Sequence, residues 1–115
     1  MRHRVLETPE DAVGRDESPV VNPATGRPFA AVPRCEPGDV GAVVERAHRA
    51  FGPWARRSID ERAALLRLCG KRLAAEADEL ARLLTLEQGK PLDRARAEVE
   101  LSAEWFDRTA DLILD

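Results

Sequence analysis

The sequence predicts a mostly helical chain, with an N-terminal β-hairpin followed by three to four α-helices. Three observations carry that expectation. In Leu83-Leu84-Thr85-Leu86-Glu87-Gln88-Gly89-Lys90-Pro91-Leu92 one helix ends and another begins. Leu80, Leu83, Leu84 and Glu87 fall three and four apart, Gly89 can take the left-handed conformation that closes a helix, and Pro91 suits the first turn of the next. Ser58-Ile59-Asp60-Glu61 has the spacing of a capping box, in which serine hydroxyl and glutamate carboxylate satisfy each other's backbone N–H groups. Asn22-Pro23-Ala24-Thr25-Gly26 is a turn between two short apolar runs, with proline at the second position and glycine supplying a positive φ.

The elements follow in order. Met1 to Glu17 is polar and acidic and reads as an irregular arm. Ser18 to Val32 reads as the hairpin, with Val20 and Val21 in one strand and Phe29 to Val32 in the other. A first helix is expected from Pro37 to about Ala50, with Asp39 near its positive end. Val40, Val43, Val44, Ala47 and Phe51 form its apolar stripe; Gly52-Pro53 should end it, and Trp54 should fold back as an anchor. The second helix starts at the capping box and carries Ile59, Ala63, Leu66, Gly70 and Leu73 on one face, with Cys69 beside them on the buried stripe. A break is expected near Glu76-Ala77-Asp78. The last helix runs from about Leu92 to the end with Leu92, Ala95, Val99, Ala103, Phe106, Ala110 and Ile113 at helical spacing, a face that Leu101, Trp105 and Leu112 widen. The pattern is still running at Asp115, which reads as truncation.

At 115 residues the chain suits one domain at most, and 43% hydrophobic residues suffice for a core. A net charge of -3, from 18 basic and 21 acidic residues, is mild and interspersed. It offers no basic stripe for nucleic acid and no polybasic patch for a membrane surface. No apolar run approaches the roughly 20 residues of a membrane span. Met1-Arg2-His3-Arg4 precedes an acidic stretch and no apolar core, unlike a secretion signal. Cys35 and Cys69 are too few and too far apart for a disulfide framework or zinc ribbon, so a cytoplasmic location is expected.

Several stretches together carry a family resemblance. Leu84-Thr85-Leu86-Glu87-Gln88-Gly89-Lys90-Pro91-Leu92, followed by Ala95-Arg96-Ala97-Glu98-Val99, closely resembles the N-terminal part of aldehyde dehydrogenases, and most of all the succinate-semialdehyde dehydrogenase branch. Val21-Asn22-Pro23-Ala24-Thr25-Gly26, Asp39-Val40, Ala50-Phe51 with Trp54, and Glu61-Arg62-Ala63-Ala64-Leu65-Leu66 match in the right order. The match runs from about Val20 to Ala110, roughly the first quarter of such an enzyme. The resemblance implies an α/β family, with residues 18–115 forming the N-terminal part of a cofactor-binding domain. The apolar strand and Gly-Glu-Trp-like turn that usually precede the Asn-Pro segment in the family have no counterpart here, which puts the outer strand of that sheet in doubt.

The family oxidises an aldehyde to an acid with NAD or NADP. It needs a cysteine nucleophile, a glutamate base, an oxyanion-stabilising amide and a cofactor fold. By resemblance all of these lie downstream of the Gly89-Lys90-Pro91 corner. No catalytic, cofactor-binding or metal-ligating residue is therefore assigned to this chain. Cys35 precedes a helix N-terminus, which can activate a thiol, but no paired base is evident. Cys69 reads as a small apolar core residue. His48 lies among Arg46 and Arg49 with no orienting carboxylate or nucleophile evident nearby and reads as solvated. Lys90 reads as a solvated lysine at a helix C-terminus, in preference to a phosphate ligand. No glycine-rich fingerprint follows a strand. Carboxylates alternate with arginines as on solvated helix faces.

Two readings follow. One is the N-terminal segment of an NAD(P)-dependent aldehyde dehydrogenase, inactive alone, whose partner is the remainder of the dehydrogenase domain or a homo-oligomer. The other is a non-enzymatic helical module that binds a partner through Leu101, Trp105 and Leu112.

Overall fold

The computed structural model describes residues 16–114. The expected arm lies almost wholly outside the described residues. Two strands and four helices follow: β1 (Glu17–Asn22), β2 (Arg27–Pro33), α1 (Asp39–Ala55), α2 (Ile59–Ala75), α3 (Ala77–Gln88) and α4 (Leu92–Leu112).

The hairpin is antiparallel, with Glu17 opposite Pro33, Val20 opposite Ala30 and Asn22 opposite Arg27. Both strands are longer than the apolar runs that predicted them. Among the described residues each strand pairs with one neighbour only, and an edge strand tolerates Pro19, Pro28 and Pro33 although they cannot donate to a ladder. The register shifts between Val20 and Val21, where Phe29 is the extra residue. The turn is built as its composition requires. The Asn22 carbonyl accepts from the Thr25 and Gly26 N–H groups at 3.2 and 2.8 Å, and its side-chain oxygen accepts from the Ala24 N–H at 2.9 Å. Gly26 has φ 66°.

Helix α4 is the axis of the helical part. Both α2 and α3 pack on it, and β1 packs on α3. The buried apolar residues are Ala63, Ala77, Ala81, Ala95, Val99, Ala103 and Ala110. All but one are alanines, so the helices meet through narrow seams that let backbones approach closely, while the larger Leu66, Leu73 and Phe106 are only half-buried. Helix α2 comes close to α4 at Gly70, where an added Cβ would stand 2.8 Å from the Ala103 carbonyl oxygen.

Four expectations need correction. Helix α1 does not stop at Gly52-Pro53 but runs to Ala55 with Pro53 inside it. A proline in the last turn removes one hydrogen bond, and the chain continues because the Arg56 N–H still reaches the Gly52 carbonyl at 3.3 Å. Trp54 consequently stays in the helix, 41% exposed, and anchors nothing. Cys69 is exposed. Its neighbour Gly70 takes the point of contact with α4, and one residue further round a helix is already outside so narrow a seam. The last helix ends at Leu112 with Ile113 as its cap residue.

Candidate functional site

The residues that single out this chain converge on the corner between α3 and α4. Gly89 closes α3 with φ 71°, and its N–H donates to the Thr85 carbonyl at 2.9 Å. Pro91 precedes α4 in an extended conformation, and its carbonyl accepts from the Ala95 N–H at 2.9 Å, starting the new helix. The hairpin turn lies against this corner: a Cβ on Gly89 would stand 3.0 Å from the Pro23 Cγ. The Asn-Pro turn and the Gly-Lys-Pro corner, 66 residues apart in sequence by the difference of 89 and 23, are thus one local structure.

Lys90 is not the freely solvated lysine the sequence suggests. It is half-buried and ion-paired with Glu98, one and a half turns into α4. Arg96 bridges α4 to α3 through Asp78 at 2.8 Å and holds Glu100 at 2.9 Å. The hydrogen bond to Glu100, and then the charge of Asp78, raise the Arg96 pKa further, so this side chain is a fixed cation. Asp78, Ala81, Arg82, Leu92, Asp93 and Arg96 line an open cleft of about 420 Å³ between the two helices. The cleft is lined by no cysteine, serine, threonine, histidine or lysine, and its Arg96 is already paired with Asp78 and Glu100.

The capping box that starts α2 is formed in both directions. The Ser58 N–H donates to Glu61 Oε2 at 2.8 Å, and the Glu61 N–H donates to Ser58 Oγ at 3.2 Å. The Ser58 backbone and hydroxyl bonds hold the Glu61 carboxyl below the usual glutamate range. A second pair, Arg67 with Asp111 at 2.6 Å, ties α2 to the end of α4.

The candidate chemical residues do not meet. Cys35 is exposed in the β2–α1 connection, His48 is exposed on α1, Cys69 is exposed on α2, and Lys90 is at the α3–α4 corner. Among the described residues no hydrogen bond or ion pair joins any two of them, and no group of three or more His, Cys, Asp or Glu side chains could hold a metal ion. No helix among the described residues is long and apolar enough to cross a membrane. Sequence reasoning found Pro23 and Gly89 separately but missed their contact, since neither residue type signals a partner so far along the chain.

Comparison with known proteins gives this corner its context. Residues 10–115 match the aldehyde dehydrogenase family. The chain is 42% identical over 98 residues to succinate-semialdehyde dehydrogenase [NADP(+)] of Deinococcus radiodurans, covering 84% of this chain and 20% of that protein. It is 45% identical over 89 residues to 3,6-anhydro-alpha-L-galactose dehydrogenase of Streptomyces coelicolor, covering 77% of this chain and 18% of that protein. The crystal structure of an aldehyde dehydrogenase from Brucella melitensis biovar abortus 2308 superposes with a TM-score of 0.80 at 33% identity, over 84% of this chain and 20% of that one. The chain therefore spans about a fifth of the length of the relatives it matches. The family match over residues 10–115 and the superposing hairpin-and-helix fold agree: this chain belongs to the aldehyde dehydrogenase family.

Proposed function

We propose that this chain is the N-terminal scaffold of an aldehyde dehydrogenase that oxidises a small carboxylate-bearing semialdehyde, of the succinate semialdehyde class, with NADP. The carrying observation is the 42% identity over 98 residues to the NADP-linked succinate-semialdehyde dehydrogenase of Deinococcus radiodurans. The wording of the Glu87-Gln88-Gly89-Lys90-Pro91-Leu92 corner supports the same branch. In this reading the hairpin and the four helices pack around the cofactor domain and contribute no group that touches the substrate or the nicotinamide. The thiolate that forms the thioester, the base that hydrolyses it and the cofactor site are supplied by the downstream part of the enzyme. The separation of Cys35, His48, Cys69 and Lys90 on different elements supports this division of labour. Two free cysteines and the cytoplasm suit each other.

The test is an assay of the purified chain with succinate semialdehyde or 3,6-anhydro-L-galactose and NAD or NADP. No reduced nicotinamide is expected from either aldehyde. Protein-dependent NADPH formation abolished by Cys35→Ala or Cys69→Ala would place a nucleophile in this chain and overturn the scaffold reading. A second reading is favoured by one observation, the exposure of Leu101, Trp105 and Leu112 at 50%, 55% and 69%. Such a face also suits a helical interaction module without enzymatic function.

A further inference from the structure

Among the described residues, helix α1 differs from the other three helices in burying none of its own side chains. Val40, Val43, Val44, Phe51 and Trp54 are 59%, 45%, 61%, 66% and 41% exposed, and no residue of α1 is buried. Their spacing puts them, with Ala47, on one side of the helix, without a charge among them. The opposite side carries Arg49, paired with Glu45 at 3.8 Å, as a solvated face does. The exposed apolar face of α4 is different in kind: the Arg108 guanidinium lies 5.8 Å from the ring centre of its Trp105, and α4 already buries a seam of its own through Ala95, Val99, Ala103 and Ala110.

Helix α1 is also poorly built to stand alone. It has 17 residues and contains Gly41, Gly52 and Pro53. Isolated helices shorter than about 12–15 residues are marginal even with the best helix formers, and glycine and proline weaken a longer one further. Such a helix is stabilised by the surface that covers its stripe. The occupant follows from length. The same arrangement of hairpin and helices recurs in a solved chain of which it makes up 20%, and the matching enzyme of Deinococcus radiodurans has four fifths of its length beyond the match.

We propose that the α1 stripe of Val40, Val43, Val44, Phe51 and Trp54 is the docking seam between this segment and the catalytic remainder of an aldehyde dehydrogenase, and that α1 is ordered by that contact. The proposal rests on the scaffold reading above and adds the face through which the scaffold is joined. The α2–α3–α4 unit holds its own alanine seams and docks as a preformed body, whereas α1 is the element whose stability depends on the partner surface.

The experiment uses a chimera in which the 98-residue matching stretch of the Deinococcus radiodurans enzyme is replaced by that of this chain. Val44→Cys on the stripe and Arg49→Cys on the opposite side are introduced separately into the chimera and into the 115-residue chain. Site-resolved thiol labelling is read by mass spectrometry. At Val44→Cys, labelling is expected to be about tenfold or more slower in the chimera than in the 115-residue chain, because a covered thiol waits for local opening. At Arg49→Cys it should be unchanged. Equal labelling of Val44→Cys in a folded chimera overturns the proposal. So does protection in the 115-residue chain that grows with concentration, which assigns the face to a second copy. A chimera that stays insoluble where the parent enzyme is soluble also counts against a matching seam. A folded chimera with a protected stripe but no NADP reduction upholds the docking seam and overturns the functional reading instead.

Discussion

The ring of Pro23 lies against Gly89, so close that a Cβ at position 89 would stand 3.0 Å from the Pro23 Cγ. Gly89 also has φ 71°, a conformation that L side chains rarely adopt. Two independent reasons therefore favour glycine at the corner. Gly89→Ala is expected to destabilise the chain by about 1–2 kcal/mol from the left-handed backbone alone, with the crowding against Pro23 adding to it. A double-mutant cycle with Pro23→Ala in urea unfolding separates the two: the second substitution should relieve the crowding and leave the backbone cost. Full additivity would show that the hairpin turn does not press on the corner.

Gly70 tests the seam between α2 and α4. Alanine is the better helix former by about 1 kcal/mol, so an exposed glycine-to-alanine change in a helix would stabilise. Here the new Cβ would meet the Ala103 backbone oxygen at 2.8 Å and the Phe106 Cβ at 3.2 Å. A backbone atom cannot swing away, so overpacking prevails and Gly70→Ala should cost about 1–3 kcal/mol in thermal or urea unfolding. A stabilised variant would mean that the helices are further apart than described.

The capping box makes a pH-dependent prediction. Ser58→Ala should cost about 1 kcal/mol at neutral pH. Glu61 has a lowered pKa in the folded chain, so its contribution is fully present above the ordinary glutamate pKa and is lost as pH falls through the lowered value. The difference in stability between the parent chain and Glu61→Gln should therefore shrink across that acidic window and be flat above it. A difference that grows toward low pH would reverse the sign of the shift.

How much was legible depends on whether a feature is local. The Ser58–Glu61 box, the left-handed Gly26 and Gly89, the break near Glu76 and the spacing of Ala95, Val99 and Ala103 could be read from the sequence, because each is settled within a few residues. Cys69 and Trp54 could not. Their burial depends on which surface lies beside the helix, and periodicity gives a face but not its cover. The run of α1 through Pro53 was missed because a proline near a helix end costs only one hydrogen bond. The candidate site was legible as two motifs; that they touch was not.

The placement of Cys69 has a direct consequence. Both Cys35 and Cys69 are exposed, so both should react with a thiol reagent in the folded chain. Native mass spectrometry of the alkylated protein should show two labels at similar times. Protection of Cys69 alone would return it to the seam with α4.

The uncovered face of α4 predicts self-association. Leu101, Trp105 and Leu112 are half or more exposed, and such residues in one stripe favour association in water. Light scattering across a concentration series should show the 115-residue chain growing beyond a monomer, with Trp105→Ser plus Leu112→Ser reducing it. A monomer unchanged by the double substitution would show that this face needs no cover.

The most direct measurement of the central claim, that this chain is the scaffold and not the catalyst of an aldehyde dehydrogenase, is NADPH formation from succinate semialdehyde by two preparations side by side. One is the 115-residue chain; the other is the Deinococcus radiodurans enzyme carrying this chain's matching stretch. No turnover is expected from the first and turnover from the second. Turnover by the chain alone, or a folded chimera that binds NADP and cannot oxidise the aldehyde, would contradict it.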